Sequence, residues 1–139
     1  MPNTLVPELT VSDWERSCHF YVTVLEFSVA YDRPEDGFSY LTLGDAEVMI
    51  DQIGLGRDFD DGHLPREYPF GRGVNLQIRV DGIDALARRV ADHGHAFYLP
   101  LENHWYRKGD LETGKRQFCV ADPDGYLLRF YQDLGERVA

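Results

Sequence analysis

The sequence predicts an α+β chain made of two βαβββ modules, and three observations support it. Residues 5–13 (LVPELTVSD) and 73–81 (GVNLQIRVD) form a weak internal repeat, each copy a strand-like stretch running straight into a helix start. An amphipathic helix follows each copy, with apolar side chains at 3.6-residue spacing. After each helix come short apolar runs punctuated by Gly, Pro and Asp, the pattern of strands joined by turns. At 139 residues the chain has the size of one domain. Its modules fall at 1–53 and 73–134, with a linker at 54–72.

In the first module, alternation along 5–13 turns Leu9 and Val11 inward and leaves Val6, Glu8 and Thr10 outside. Ser12 with Glu15 fits a capping box, and Trp14, Cys18, Tyr21, Val22 and Leu25 give the apolar stripe of a helix. Strands are expected near 26–32, 38–44 and 47–53. Leu41 and Leu43 face the helix, while Phe38, Tyr40 and Thr42 face away, with Glu47, Met49 and Asp51 of the next strand. The segment 54–72 (GLGRDFDDGHLPREYPFGR) is too rich in Gly, Pro and charge for a third module. Its run Asp58-Phe59-Asp60-Asp61-Gly62 falls short of a calcium loop: the Gly comes one position early, Pro65 interrupts, and no bidentate Glu follows.

In the second module, Val74, Leu76, Ile78 and Val80 point inward, and Asn75, Gln77 and Arg79 outward. Ile83, Leu86, Ala87 and Val90 make the helix stripe, and Gly94 is placed to end it. His93 and His95 flank that Gly and suit a C-cap better than a metal pair. Strands follow near 96–102, 115–121 and 126–132, the last two joined by a turn at Asp122-Pro123-Asp124-Gly125. Trp105-Tyr106-Arg107 falls in the loop before 115, where a Trp has no core to fill; its ring is expected to dock on a second copy or a ligand. Cys18 and Cys119 lie in a helix stripe and a strand, the places of small buried hydrophobes. In both modules the face opposite the helix mixes polar and aromatic side chains, which suits either a solvated surface or a ligand-lined one.

Composition excludes several partners. The chain carries 14 Lys and Arg against 24 Asp and Glu, a formal net charge of −10. Nucleic acid and anionic membranes both demand a basic footprint, so neither is expected as a partner. A cationic or neutral small molecule is electrostatically easier. No apolar run approaches the roughly 18 residues that span a bilayer, and Met1 opens onto Pro2-Asn3-Thr4 without a signal-peptide core. Two cysteines cannot build a disulfide framework or a four-thiolate zinc site. A reduced, cytoplasmic location is expected.

The run Val11-Ser12-Asp13 through Phe20-Tyr21 to Leu25-Glu26-Phe27 resembles the first-helix signature of the vicinal-oxygen-chelate superfamily, V-x-D…FY…LGF, with Glu26 where a Gly is usual. The stretch Arg116-Gln117-Phe118-Cys119-Val120-Ala121-Asp122-Pro123-Asp124-Gly125-Tyr126 is similar to its second signature. The resemblance implies modules that curl into an incomplete barrel around a concave cavity. In the superfamily's metalloenzymes the ligand positions correspond by register to Val6, Asp51, Asn75 and Arg129. Only Asp51 suits a divalent cation; Val6 has no donor and Arg129 brings a permanent positive charge. The resemblance therefore implies no metal and no cofactor here.

Asp122 through Arg129 (DPDGYLLR) further resembles the bleomycin-resistance branch. Its members bind bleomycin-type glycopeptides without altering them. They are homodimers with pockets at the subunit interface, where rings sandwich the flat bithiazole and acidic groups attract the cationic tail. A Trp often found before the penultimate strand of bleomycin binders is Gly114 here, leaving Trp105 and Tyr106 to supply a ring from another place. The resemblance thus implies a ligand surface of Phe38, Tyr40, Asp51, Trp105, Tyr106 and Arg129, with no catalytic residue. Two competing readings stay open. One is a metal-dependent lyase or dioxygenase of the same superfamily, its site shifted to Glu8, Glu47 or Asp51. The other is a binder of an unrelated small aromatic metabolite.

Overall fold

The computed structural model describes residues 2–56 and 62–139 and carries the βαβββ order twice. The first run is β1 (Glu8–Val11), α1 (Trp14–Cys18), β2 (Ser28–Arg33), β3 (Phe38–Leu43) and β4 (Ala46–Gln52). The second is β5 (Asn75–Arg79), α2 (Ile83–Asp92), β6 (Leu99–Lys108), β7 (Leu111–Ala121) and β8 (Leu127–Val138). The strands form two four-stranded mixed sheets, ordered β1-β4-β3-β2 and β5-β8-β7-β6, neither closed into a barrel. In each, the first strand pairs parallel with the last and the other pairings are antiparallel. The chain separates into two compact units, Met1–Gly73 with Asp122–Tyr126, and Val74–Ala121 with Leu127–Ala139. The run Asp58-Phe59-Asp60-Asp61, read in sequence as part of an acidic loop, lies outside the described residues.

In the first unit Leu9, Val11, Leu41, Val48 and Ile50 bury against the first helix, as their alternation requires. That helix departs from expectation at both ends. Its N-cap is Asp13, whose carboxylate accepts the Arg16 amide; Ser12 instead gives its amide and hydroxyl to Asp124. After Cys18 the chain continues as a π-helical turn, His19–Val24. The wider turn rotates the buried stripe to Ser17, Phe20, Tyr21, Val24 and Leu25, leaving Trp14, Cys18 and Val22 half-buried. The helix closes with Leu25 donating to the Phe20 carbonyl and Phe27 to that of Tyr21, which puts Glu26 at a left-handed φ of 66°.

The second unit follows its pattern more closely. Ile83, Leu86, Ala87 and Val90 are all buried, against Ile78, Phe118, Val120, Leu128 and Phe130. Gly94 takes φ 77°, donating to the Ala91 carbonyl while His95 donates to Val90; the two bonds form a Schellman cap. Val74, expected inward, is 57% exposed because it precedes the first paired residue of β5. The larger difference is length. β6 runs to Lys108 and β7 starts at Leu111, so Trp105-Tyr106-Arg107 is strand and not loop. Polar and charged residues with no apolar alternation hid ten residues of hairpin from the sequence pattern.

Candidate functional site

In the first sheet, pairing places Phe38 opposite Asp51, Tyr40 opposite Met49 and Thr42 opposite Glu47, all on the face turned from the helix. Phe38 and Tyr40 are buried there, at 4% and 8% exposure. Tyr31 of β2 covers both. Its ring stacks on Tyr40 at 5.2 Å and 22°, lies 5.9 Å from Phe38, and remains 51% exposed. The Arg33 guanidinium sits 4.0 Å over the Phe38 ring. A bulge positions Tyr31: the register steps from Val29↔Leu41 to Tyr31↔Tyr40, leaving Ala30 unpaired. Strict alternation would have put Tyr31 on the helix side, so sequence reading missed the most accessible ring of this surface.

Polar groups complete the face. The Tyr40 hydroxyl donates to Glu47 at 2.5 Å, and the Asn3 amide donates to the same carboxylate at 3.0 Å. The bond to Glu47 raises the Tyr40 phenol to about 12, and the two donors hold Glu47 below its ordinary value. Glu47 is therefore an anion whose acceptors are already engaged. Asp51 is half-buried, beside Phe38 on β3 and Thr10 on β1. This surface can stack a flat ring on Tyr31 and present negative charge beside it.

In the second sheet, Gln77, Arg129, Tyr131, Gln117 and Tyr106 share the face turned from α2. Gln117, 1% exposed, uses its amide nitrogen to donate to the Tyr106 hydroxyl at 2.6 Å and to Glu102 at 3.0 Å. Its carbonyl oxygen then accepts from Arg129 Nη1 at 3.4 Å. Lys115 lies 3.8 Å over the Tyr131 ring. Trp105 points to the opposite face from Tyr106, as neighbours on a strand must. Its ring covers Gly114, where a Cβ would lie 2.7 Å from it, and Arg137 stacks on it at 4.0 Å. Adjacent positions on β6 thus turn Trp105 and Tyr106 to opposite faces of the sheet.

The Asp122-Pro123-Asp124-Gly125 turn belongs to the first unit and locks its core. Asp122 accepts from the amides of Asp124 and Tyr126 and, at 2.7 Å, from the buried Tyr21 hydroxyl. Burial pushes Asp122 up to about 6 and drives the Tyr21 phenol far above its ordinary value. Asp124 receives Ser12, with Arg16 at 3.6 Å. The Tyr126 hydroxyl donates to the Thr10 carbonyl at 2.8 Å. These bonds make the motif a structural latch. A separate groove of about 370 Å³ is lined by residues including Pro65, Glu67, Phe70 and Arg72. Arg72 there is engaged by the Tyr68 and Pro69 carbonyls.

The donor positions that the resemblance sets for a metal hold Val6, Asp51, Asn75 and Arg129, and their chemistry does not fit a divalent cation. Arg129 already spends a nitrogen on Gln117. Among the described residues, no group of three His, Cys, Asp or Glu side chains is arranged to hold a metal.

A family model described as the Glyoxalase/Bleomycin resistance protein/Dioxygenase superfamily matches residues 4–130. The chain belongs to this superfamily. The bleomycin resistance protein of Geobacillus stearothermophilus is 27% identical over 135 residues, 93% of this chain and 96% of that protein. One from Staphylococcus aureus strain MRSA252 matches to the same degree. Among solved structures, TioX from Micromonospora sp. ML1 superposes with a TM-score of 0.72 at 22% identity, over 95% of this chain and 99% of TioX. The lactoylglutathione lyase from Agrobacterium tumefaciens superposes at 0.62 and 16% identity, over 94% of each chain. At such identities these two share the superfamily fold and nothing finer, so function has to be argued from the site.

Proposed function

We propose that the chain is a metal-free binding protein that sequesters bleomycin-type glycopeptides in the cytoplasm, acting as a homodimer and leaving the drug unaltered. The observation that carries it is the accessible Tyr31 ring, stacked on Tyr40 beside the anionic Glu47, in a chain related over nearly its whole length to bleomycin resistance proteins. A flat heteroaromatic system suits that ring, and a cationic tail suits the carboxylates and the net charge of −10. Phe38 and Tyr40 serve from beneath, fixing Tyr31, while Asp51 adds charge beside them. Tyr106 and Arg129 lie on the second sheet and are not part of this stacking site. Sequence leaves Trp105 to a ligand or to a second copy; its contacts lie instead within its own hairpin, with Gly114 and Arg137. The unfit donor set argues against the lyase or dioxygenase reading, and Glu47 is committed to Tyr40 and Asn3. Among the described residues no helix is long and apolar enough to cross a membrane.

Fluorescence titration with bleomycin tests this reading. Saturable quenching at micromolar drug is expected from the native chain. A stacked ring contributes roughly 0.5–1.5 kcal/mol beyond burial, so Tyr31→Ala should weaken binding about tenfold. Absence of quenching from the native chain removes the function and leaves the fold.

A further inference from the structure

We propose that Arg129, oriented by Gln117, is a binding group for a planar carboxylate on the open face of the second sheet. The chain has ten more acidic than basic side chains, and some of its arginines use them: Arg116 meets Asp84 at 2.7 Å and Arg137 meets Glu112 at 2.8 Å. Arg129 does not, although it is half-buried. Among the described residues it has no ion pair; its hydrogen bond is the long one to Gln117, and its buried Nε has no partner. A half-desolvated guanidinium left this way lacks the anion that normally compensates its burial.

The surroundings hold the group ready without neutralising it. Gln117 spends both amide hydrogens on Tyr106 and Glu102, so its oxygen must face Arg129, and it brings no charge. Glu102 is taken by Gln117, with His104 Nδ1 at 3.9 Å. Register places Gln77 beside Arg129, and Arg79 beside Tyr131 on the same face, with Lys115 over the Tyr131 ring. Within a strongly acidic chain, this face gathers three cations against two carboxylates, Glu102 beside Gln117 and Asp133 opposite Lys115. A carboxylate matches the two terminal nitrogens of a guanidinium fork, and the tyrosine rings give its organic body a surface. The site takes an aromatic or otherwise planar carboxylate.

The assignment stands apart from bleomycin sequestration and is tested with different probes, so either can fail alone. Full-length protein labelled with 15N-arginine is titrated with benzoate, with benzamide as the neutral isostere and with inorganic phosphate, following the Arg129 Nε–Hε resonance. A saturable shift with benzoate and none with benzamide is expected. Arg129→Lys, which keeps the charge and loses the fork, should bind benzoate about tenfold more weakly by calorimetry, the worth of one charged hydrogen bond. A non-saturating benzoate response, an equal response to benzamide, phosphate binding as tight as benzoate, or unchanged affinity in Arg129→Lys would each overturn the assignment.

Discussion

Glu26 is the one non-glycine residue with a left-handed backbone among those described, at the cap position where the superfamily signature has Gly. An L-residue there costs roughly 1–2 kcal/mol, partly offset because Gly frees the unfolded chain. Glu26→Gly should therefore stabilise the fold by about 0.5–1 kcal/mol, read as a raised midpoint in urea with an unchanged slope. Asp122 makes the opposite kind of statement. Its folded value near 6 lies above the ordinary 3.8, so the neutral acid stabilises the fold below 3.8 and that contribution is lost as pH rises through about 6. The loss amounts to about 3 kcal/mol. Comparing the pH dependence of unfolding in the native chain and in Asp122→Asn isolates it: the native chain should lose stability across that window and the variant should not. Glu47 and Asp84 act in the reverse sense, each held below its ordinary value and giving up stability as pH falls. Of these residues, the Glu26 departure and the Asp122 turn are visible in sequence. The raised value of Asp122 is not, because it comes from burial, in a site where its hydrogen-bond partner Tyr21 lies 101 residues away.

At the scale of elements, periodicity locates what it can sense. The α2 stripe and the Gly94 cap appear as read, since one amphipathic face and one left-handed residue are local signals. The first helix lies where it is read, but part of its stripe differs because a π-turn changes the period partway along it, and no propensity marks where that happens. Two sheet irregularities matter for function. The Ala30 bulge turns Tyr31 to the open face, and the long hairpin of β6 and β7 moves Trp105 from a loop to a strand. Trp105 now belongs with Gly114, Leu134 and Arg137. Trp105→Ala should cost about 1–2 kcal/mol of stability and leave bleomycin affinity within about twofold. Denaturant unfolding and the fluorescence titration read the two effects separately, and a tenfold loss of affinity would return Trp105 to the ligand surface.

For the whole molecule, charge and edges set the expectations. Net charge of −10 steers cations, so rising salt should slow association with bleomycin and leave dissociation nearly unchanged in rapid-mixing experiments. Among the described residues each sheet ends in strands with an unpaired side, β1 and β2 in one, β5 and β6 in the other. Association covers such edges, and sedimentation is expected to give the mass of two chains; a stable single chain at micromolar concentration would contradict it. Elemental analysis of protein purified without chelator is expected to find no stoichiometric transition metal, because a fixed guanidinium stands among the donor positions. The module plan and the superfamily were legible because repeats and signature runs are local in sequence. The stacking surface proposed on the first sheet was legible only in part, through Phe38 and Tyr40, because the bulge at Ala30 decides that Tyr31 joins them. Calorimetric titration with bleomycin, followed by mass analysis of the released drug, tests sequestration most directly. Saturable binding with the drug recovered at unchanged mass is the predicted result; absence of binding, or recovery of a chemically modified drug, would contradict it.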